Sequence, residues 1–153
     1  TKTMLPSTSI DESYRFLFED ADVRGETVVL KHVLDDLLAS HAYGAGVRVL
    51  LGQFAVSAVM IANNLKFDGK VVLQGRSDGP LSLIMVECSS SGEVRGLARG
   101  DLDAPEGPLS EHLPQGILTL TIEPDVGKRY QGIPLCFLIC ELVLLIIPCL
   151  LPA

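Results

Sequence analysis

From Val47 onward, apolar side chains recur at intervals of three and four residues: Leu50, Leu51, Phe54, Ala55, Ala58, Val59, Ala62 and Leu65. No other stretch restricts the fold as strongly, because this spacing commits about five helical turns to one apolar stripe that has to be covered. Its alanines allow close packing against a sheet or a second helix. A shorter stripe precedes it, formed by Leu30, Val33, Leu34, Leu37 and Leu38, with Lys31, Asp35 and Asp36 turned to water. The glycines of "AYGAG" separate the two helices, and "KFDGK" ends the longer one with a Gly turn.

The remainder reads in period two. "YRFLFED" places Tyr14, Phe16 and Phe18 on one face and Arg15, Leu17 and Glu19 on the other. "VVLQGRSDGPLSLIMVECSSSGEVRGLARGD" reads as consecutive antiparallel strands, with Ser77-Asp78-Gly79-Pro80 and Ser89-Ser90-Ser91-Gly92 as the turns. Beyond the loop "DLDAPEGPLSEHLPQG", "ILTLTIEP" sets Leu118, Leu120 and Ile122 against Thr119 and Thr121, and "KRYQGI" begins a partner strand. Strand, helix, helix and then a run of strands predict an α+β domain: a largely antiparallel sheet with two or more helices packed on it. A length of 153 residues suits one such domain.

Charge and spacing exclude several function classes. A net charge of -7, a pI near 4.8 and 12 scattered Lys and Arg residues do not make a nucleic-acid binder, which needs a clustered basic surface to displace counterions. "PDVGKRYQG" lacks the upstream glycine and the Ser or Thr of a phosphate loop. His32, His41 and His112 have no partners at metal-ligand spacing; the first two read as helix-surface residues and the third as a loop residue. Ser110 lies near His112 without a nucleophile elbow or an orienting acid. Glu19, Asp20 and Asp22 read as solvated carboxylates at a strand end, and Cys88, on the face of Ile84 and Val86, as a small buried hydrophobe. The first residues, "TKTMLPSTSIDES", carry neither the apolar region nor the cleavage site of a secretory signal, so a cytoplasmic location is expected. Residue chemistry alone ends at an α+β domain with no visible active site.

The wording of the sequence carries more. "RFLFEDADVRGETVVL", "VRVLLGQ", "LKFDGKVVLQGRSDGPLSLIMVECSSSGEVRGLAR" and "LTLTIEPDVGKRYQGI" together resemble the N-terminal domain of the Hsp33 family, the redox-regulated 33 kDa chaperonins of bacteria, from about Tyr14 to Ile133. The resemblance implies fold-defining roles for Arg24 and Gly25 in a "VRGE" turn, for Lys66, Phe67, Asp68 and Gly69 at a helix exit, and for Gly79 and Pro80 in a "GPL" turn. It implies the same for Arg95, Gly96 and Arg99 in one strand and for Tyr130 and Gly132 in another. Gln53 and Gly44 depart from the family pattern, where Glu and Pro are usual.

By this resemblance the chain is expected to be an ATP-independent holdase, not an enzyme, that binds unfolded or partly folded client proteins under oxidative or heat stress. Alternatives are a dimerising structural fragment, with a homodimer as its partner, or a tail-anchored domain. The family binds one zinc through four cysteines of a C-terminal domain, in a CxC and a CxxC pair; oxidation releases the metal and unmakes that domain. Here Cys136, Cys140 and Cys149 follow neither spacing, so no cofactor, zinc or redox switch is expected of this chain.

The expected division is an Hsp33-like domain over 1–133 and, over 134–153, an apolar tail outside the family pattern. "IPLCFLICELVLLIIPCLLPA" as one helix at about 1.5 Å per residue nearly matches a bilayer core. Pro134 and Pro148 interrupt it, however, and Glu141 sits mid-run. Membrane anchoring is therefore not the favoured expectation, and the abrupt change of composition after Ile133 reads as a frameshift would.

Overall fold

The computed structural model describes residues 2–3 and 12–132. Strands β1 (Lys2–Thr3), β2 (Glu12–Phe18) and β3 (Val23–Val29) form a small sheet in that order, and helices α1 (His32–Ala39) and α2 (Ala45–Asn63) follow. A five-stranded sheet then assembles from β4 (Gly69–Arg76), β5 (Leu81–Ser89), β6 (Val94–Gly100), β7 (Ile117–Pro124) and β8 (Tyr130–Gly132), in the order β6-β5-β4-β7-β8. A single turn of helix, α3 (Leu109–His112), lies in the connection from β6 to β7. Every strand pairing is antiparallel, and the class is α+β.

The long helix lies where its apolar stripe requires, across β4, β5 and β6. Val47, Leu50, Leu51, Phe54 and Val59 of α2 meet Val71 and Leu73 of β4 and Ile84, Val86 and Cys88 of β5, all 1% exposed or less. Each such side chain removed from water contributes roughly 1.5–3 kcal/mol, so this seam dominates the stability of the domain. By length and composition α2 could cross a membrane, but 67% of its most apolar window is buried inside the domain. Its first turn has no side-chain cap. Instead, the Gly44 and Gly46 amides donate to the carbonyls of Leu102 and Ala104 at 2.6 and 3.1 Å, so the β6–β7 connection satisfies donors that a helix start leaves open.

Three readings change. Arg24 and Gly25 lie inside β3, not in a turn; the turn is Glu19–Asp22, and Gly25 is paired with Phe16. The Phe16 ring lies across Gly25 in the space a Cβ would occupy, so glycine there admits the close approach of an aromatic neighbour and does not serve a turn conformation. His41 lies in the loop after α1 rather than on a helix. His112 lies in α3, only 4% exposed, because that turn folds inward between Leu109 and Leu113, which are also buried. The tail expectation, over 134–153, falls outside the described residues.

Candidate functional site

Alternation along each strand of the large sheet sends one set of side chains under α2 and the other to the opposite face. On β4 and β5 the buried positions are Val71, Leu73, Ile84, Val86 and Cys88, while Lys70, Val72, Gln74, Met85 and Glu87 are only partly covered. The pairing register aligns the second set across strands: Val72 stands between Glu87 and Thr121, Gln74 between Met85 and Thr119, and Arg76 between Leu83 and Ile117. Leu97 of β6 joins Met85, and Arg95 and Arg99 flank it. The outer face therefore has an apolar centre of Val72, Leu83, Met85 and Leu97, each only partly covered, with Ile117 exposed at its border.

Both ends of this strip are polar. At one end the Lys70 ammonium lies 3.3 Å from both Glu87 and Glu123, and Arg129 lies 3.5 Å from Glu123. The hydrogen bond to Glu87, then that to Glu123, raises the Lys70 pKa above its ordinary value. A groove of about 480 Å³ opens beside this cluster, lined by Asp68, the Ser89–Ser91 turn, Glu93, Arg95 and Asp125. At the other end a groove of about 680 Å³ is lined by Arg76, Ser77, Asp78, Gly79, Ser82, Pro114, Gln115 and Ile117. An apolar strip with charged borders suits contact with extended polypeptide, whose backbone and side chains are mixed in polarity.

The small sheet is held to α2 by a polar contact. Arg15 and Glu26 face each other across β2 and β3. The Glu26 side chain, 6% exposed, accepts hydrogen bonds from Asn63 Nδ2 at 2.8 Å and Asn64 Nδ2 at 2.9 Å, and Arg15 donates to the Asn63 carbonyl. A guanidinium at the carbonyl end of a helix is also favoured by the helix dipole. Beyond this contact the ribbon runs out into solvent.

The residues singled out from the sequence are dispersed. Lys66, Phe67 and Asp68 are exposed in the α2–β4 connection. Gly69 is buried, its amide donating to Ser90 Oγ at 3.0 Å and its carbonyl accepting from the Ser90 amide at 2.8 Å, while the Asp68 carbonyl accepts from Asp125. Gly79 and Pro80 form the β4–β5 turn, where the Pro80 carbonyl accepts from the Asp101 amide at 2.7 Å. Arg95, Gly96 and Arg99 lie on β6, with Gly96 against Val86 and Leu37; Tyr130 and Gly132 lie on β8, opposite Ile122 and Leu120. Arg24 is exposed on β3, paired with Leu17. These positions do not converge on one site. The side chains that shape the outer face and the contact with α2, namely Val72, Met85, Leu97, Lys70, Glu26 and Asn63, were not singled out. A signal existed for the first group: "VVL" and "LIMV" are unbroken apolar runs, which imply strands apolar on both faces.

Among the described residues no group of three or more His, Cys, Asp or Glu side chains is placed to hold a metal ion. Cys88 does not suit thiolate ligation: burial, then the charge of Glu87, pushes its pKa up to about 12, and the thiol lies 3.5 Å from the Ser89 carbonyl. His112 is buried with Nε2 lacking a hydrogen-bond partner among the described residues.

The family model described as "Hsp33 protein" matches residues 11–135. The chain belongs to the Hsp33 family. Among relatives, the 33 kDa chaperonin of Ectopseudomonas mendocina (strain ymp) is 50% identical over 125 residues, 80% of this chain and 42% of the relative. That of Pseudomonas fluorescens (strain Pf-5) is 47% identical over 133 residues, 86% of this chain and 44% of the relative. The chain thus spans about two fifths of the length of the Hsp33 relatives it matches. The crystal structure of the 33 kDa chaperonin from Thermotoga maritima superposes with a TM-score of 0.66 over 79% of this chain and 44% of that one, at 20% identity, and so shares the fold.

Proposed function

We propose that this chain is a non-catalytic holdase of the cytoplasm that binds unfolding polypeptides on the outer face of the large sheet, without ATP. The apolar strip of Val72, Leu83, Met85 and Leu97, only partly covered between two charged ends, carries the reading, because apolar side chains that keep contact with water are available to a partner. Relatives named 33 kDa chaperonin support the same activity. In this reading the binding is independent of redox state, which is supported by the burial of Cys88, the one thiol among the described residues, on the opposite face.

The test is light scattering from a thermally unfolding enzyme with the chain added, in the presence and absence of dithiothreitol. Scattering should fall to the same extent in both conditions, and Met85→Lys with Leu97→Lys should abolish the effect while preserving the far-UV circular dichroism. Equal aggregation with and without the chain would remove the holdase reading, and a requirement for oxidant would remove its redox independence.

A further inference from the structure

We propose that the tip of the β2–β3 ribbon is a second contact site, a prong that docks non-native segments in which apolar residues are flanked by Lys or Arg. The inference rests on the holdase reading and adds a client chemistry to it. From Arg15 to Arg24 every residue is exposed, and the run contains four large apolar side chains: Phe16 at 47%, Leu17 at 64%, Phe18 at 56% and Val23 at 50%. Phe16 and Phe18 meet edge to face at 5.7 Å on one side of the ribbon, and Leu17 lies on the other. None of them reaches the core; the last side chains of the ribbon that do are Ser13 and Val28, at its base.

The turn joining these side chains is Glu19-Asp20-Ala21-Asp22. None of its three carboxylates forms an ion pair among the described residues, whereas Arg15, nearest the base, is held by Glu26 and the Asn63 carbonyl. Exposed strands are commonly protected from unwanted pairing by lysines. Here the protecting charge is negative, and it selects the occupant. A basic and apolar segment gains both desolvation and Coulombic attraction at the tip, while an acidic one of equal hydropathy is repelled.

Fluorescence anisotropy with two short labelled peptides, alternating Leu-Arg and alternating Leu-Glu, tests the proposal on the full chain. Replacing Glu19→Lys, Asp20→Lys and Asp22→Lys, all in the exposed turn, should weaken the Leu-Arg peptide by about tenfold, the product of three exposed charge contacts, and strengthen the Leu-Glu peptide. A control with the same change of net charge, Asp36→Lys, Asp103→Lys and Glu106→Lys, all exposed and away from both grooves, should alter both peptides far less. Leu17→Ser with Phe18→Ser should weaken the Leu-Arg peptide without reversing the preference. Equal effects of the turn and control variants, or no effect of either, would overturn the prong. Suppression of client aggregation is scored separately: its loss in the parent chain refutes the holdase reading, whereas its persistence with unselective peptide binding refutes the prong alone.

Discussion

The contact between Glu26 and the end of α2 allows the anchoring of the ribbon to be measured. In Glu26→Gln the shape is retained and the charge is removed. The carboxylate now accepts one amide on each oxygen, Asn63 Nδ2 at 2.8 Å and Asn64 Nδ2 at 2.9 Å, with its side chain 6% exposed. Glutamine has one acceptor oxygen, so one asparagine keeps a neutral hydrogen bond and the other faces a second N–H donor. Asn64 Nδ2 also donates to the Met60 carbonyl at 2.7 Å, which resists its turning away. Hydrogen bonds to a charged group contribute about 1.5–3 kcal/mol each, so losing one and weakening the other should cost roughly 2–4 kcal/mol. Arg15 adds little to that figure, since it is 47% exposed and its Nε lies 3.9 Å from the carboxylate. Urea denaturation measures the total, and hydrogen exchange locates it. Amides of β2 and β3 should lose protection before those of β4 and β5, because the contact holds the ribbon and not the sheet. A double-mutant cycle with Asn63→Ala should return a coupling of about 1 kcal/mol or more. A loss under about 0.5 kcal/mol, or protection falling equally in both sheets, would refute the anchoring argument.

Further predictions concern the core and the outer face. Gly46→Ala should destabilise by about 2–4 kcal/mol in urea, because a Cβ there would run into the backbone carbonyls of Ala104 and Pro105, which cannot move without opening the start of α2. Iodoacetamide should label Cys88 in urea but not in the native chain at neutral pH, and rapid native labelling would contradict its burial. Since folding raises the Cys88 pKa from 9.0 to about 12, the folded state binds that proton more tightly. The resulting stability is complete below pH 9 and is lost at about 1.4 kcal/mol per pH unit as pH rises toward 12, a slope that Cys88→Ala should flatten in alkaline denaturation curves. Lys70→Met should cost under about 1 kcal/mol at low salt and nearly nothing in 1 M NaCl, since Lys70 is 40% exposed; a loss above about 2 kcal/mol would show that its carboxylate contacts are far less screened than their exposure implies.

The stripes of the two long helices and the order of the strands were legible because each depends on local periodicity. Leu37, Leu50, Phe54 and Val59 are buried where a helical repeat places them, and Cys88 is buried where alternation with Ile84 and Val86 places it. Features that depend on contacts distant in sequence were not legible. Glu26 meets Asn63 and Asn64 across 37 and 38 residues, and nothing in "RGET" or "ANNL" indicates that contact. Gly25 likewise resembled a turn residue because the ring that occupies its side-chain space comes from the preceding strand. His112 looked like a loop residue since a single turn of helix is too short to generate a repeat.

The same limit applies to the candidate site. Period-two alternation groups side chains by face, but it does not say which face meets water, so Phe16 and Phe18 in β2 carry the same pattern as Ile84 and Val86 in β5. The first pair is about half exposed and the second fully buried. What separates them is the element stacked on each strand: α2 covers β5, whereas the outer half of β2 extends past the end of that helix at Asn63. An apolar client-contact surface has to be apolar and uncovered together, and only the second condition requires the tertiary structure. In β4 and β5 the unbroken runs "VVL" and "LIMV" give an intermediate case, where the sequence signals that both faces favour burial and the fold buries one fully and the other only in part. The partly covered set, Val72, Leu83, Met85 and Leu97, is therefore where substitution to lysine should separate folding from the proposed binding. A core strand residue changed in that way would lose both functions, and an ordinary surface residue would lose neither.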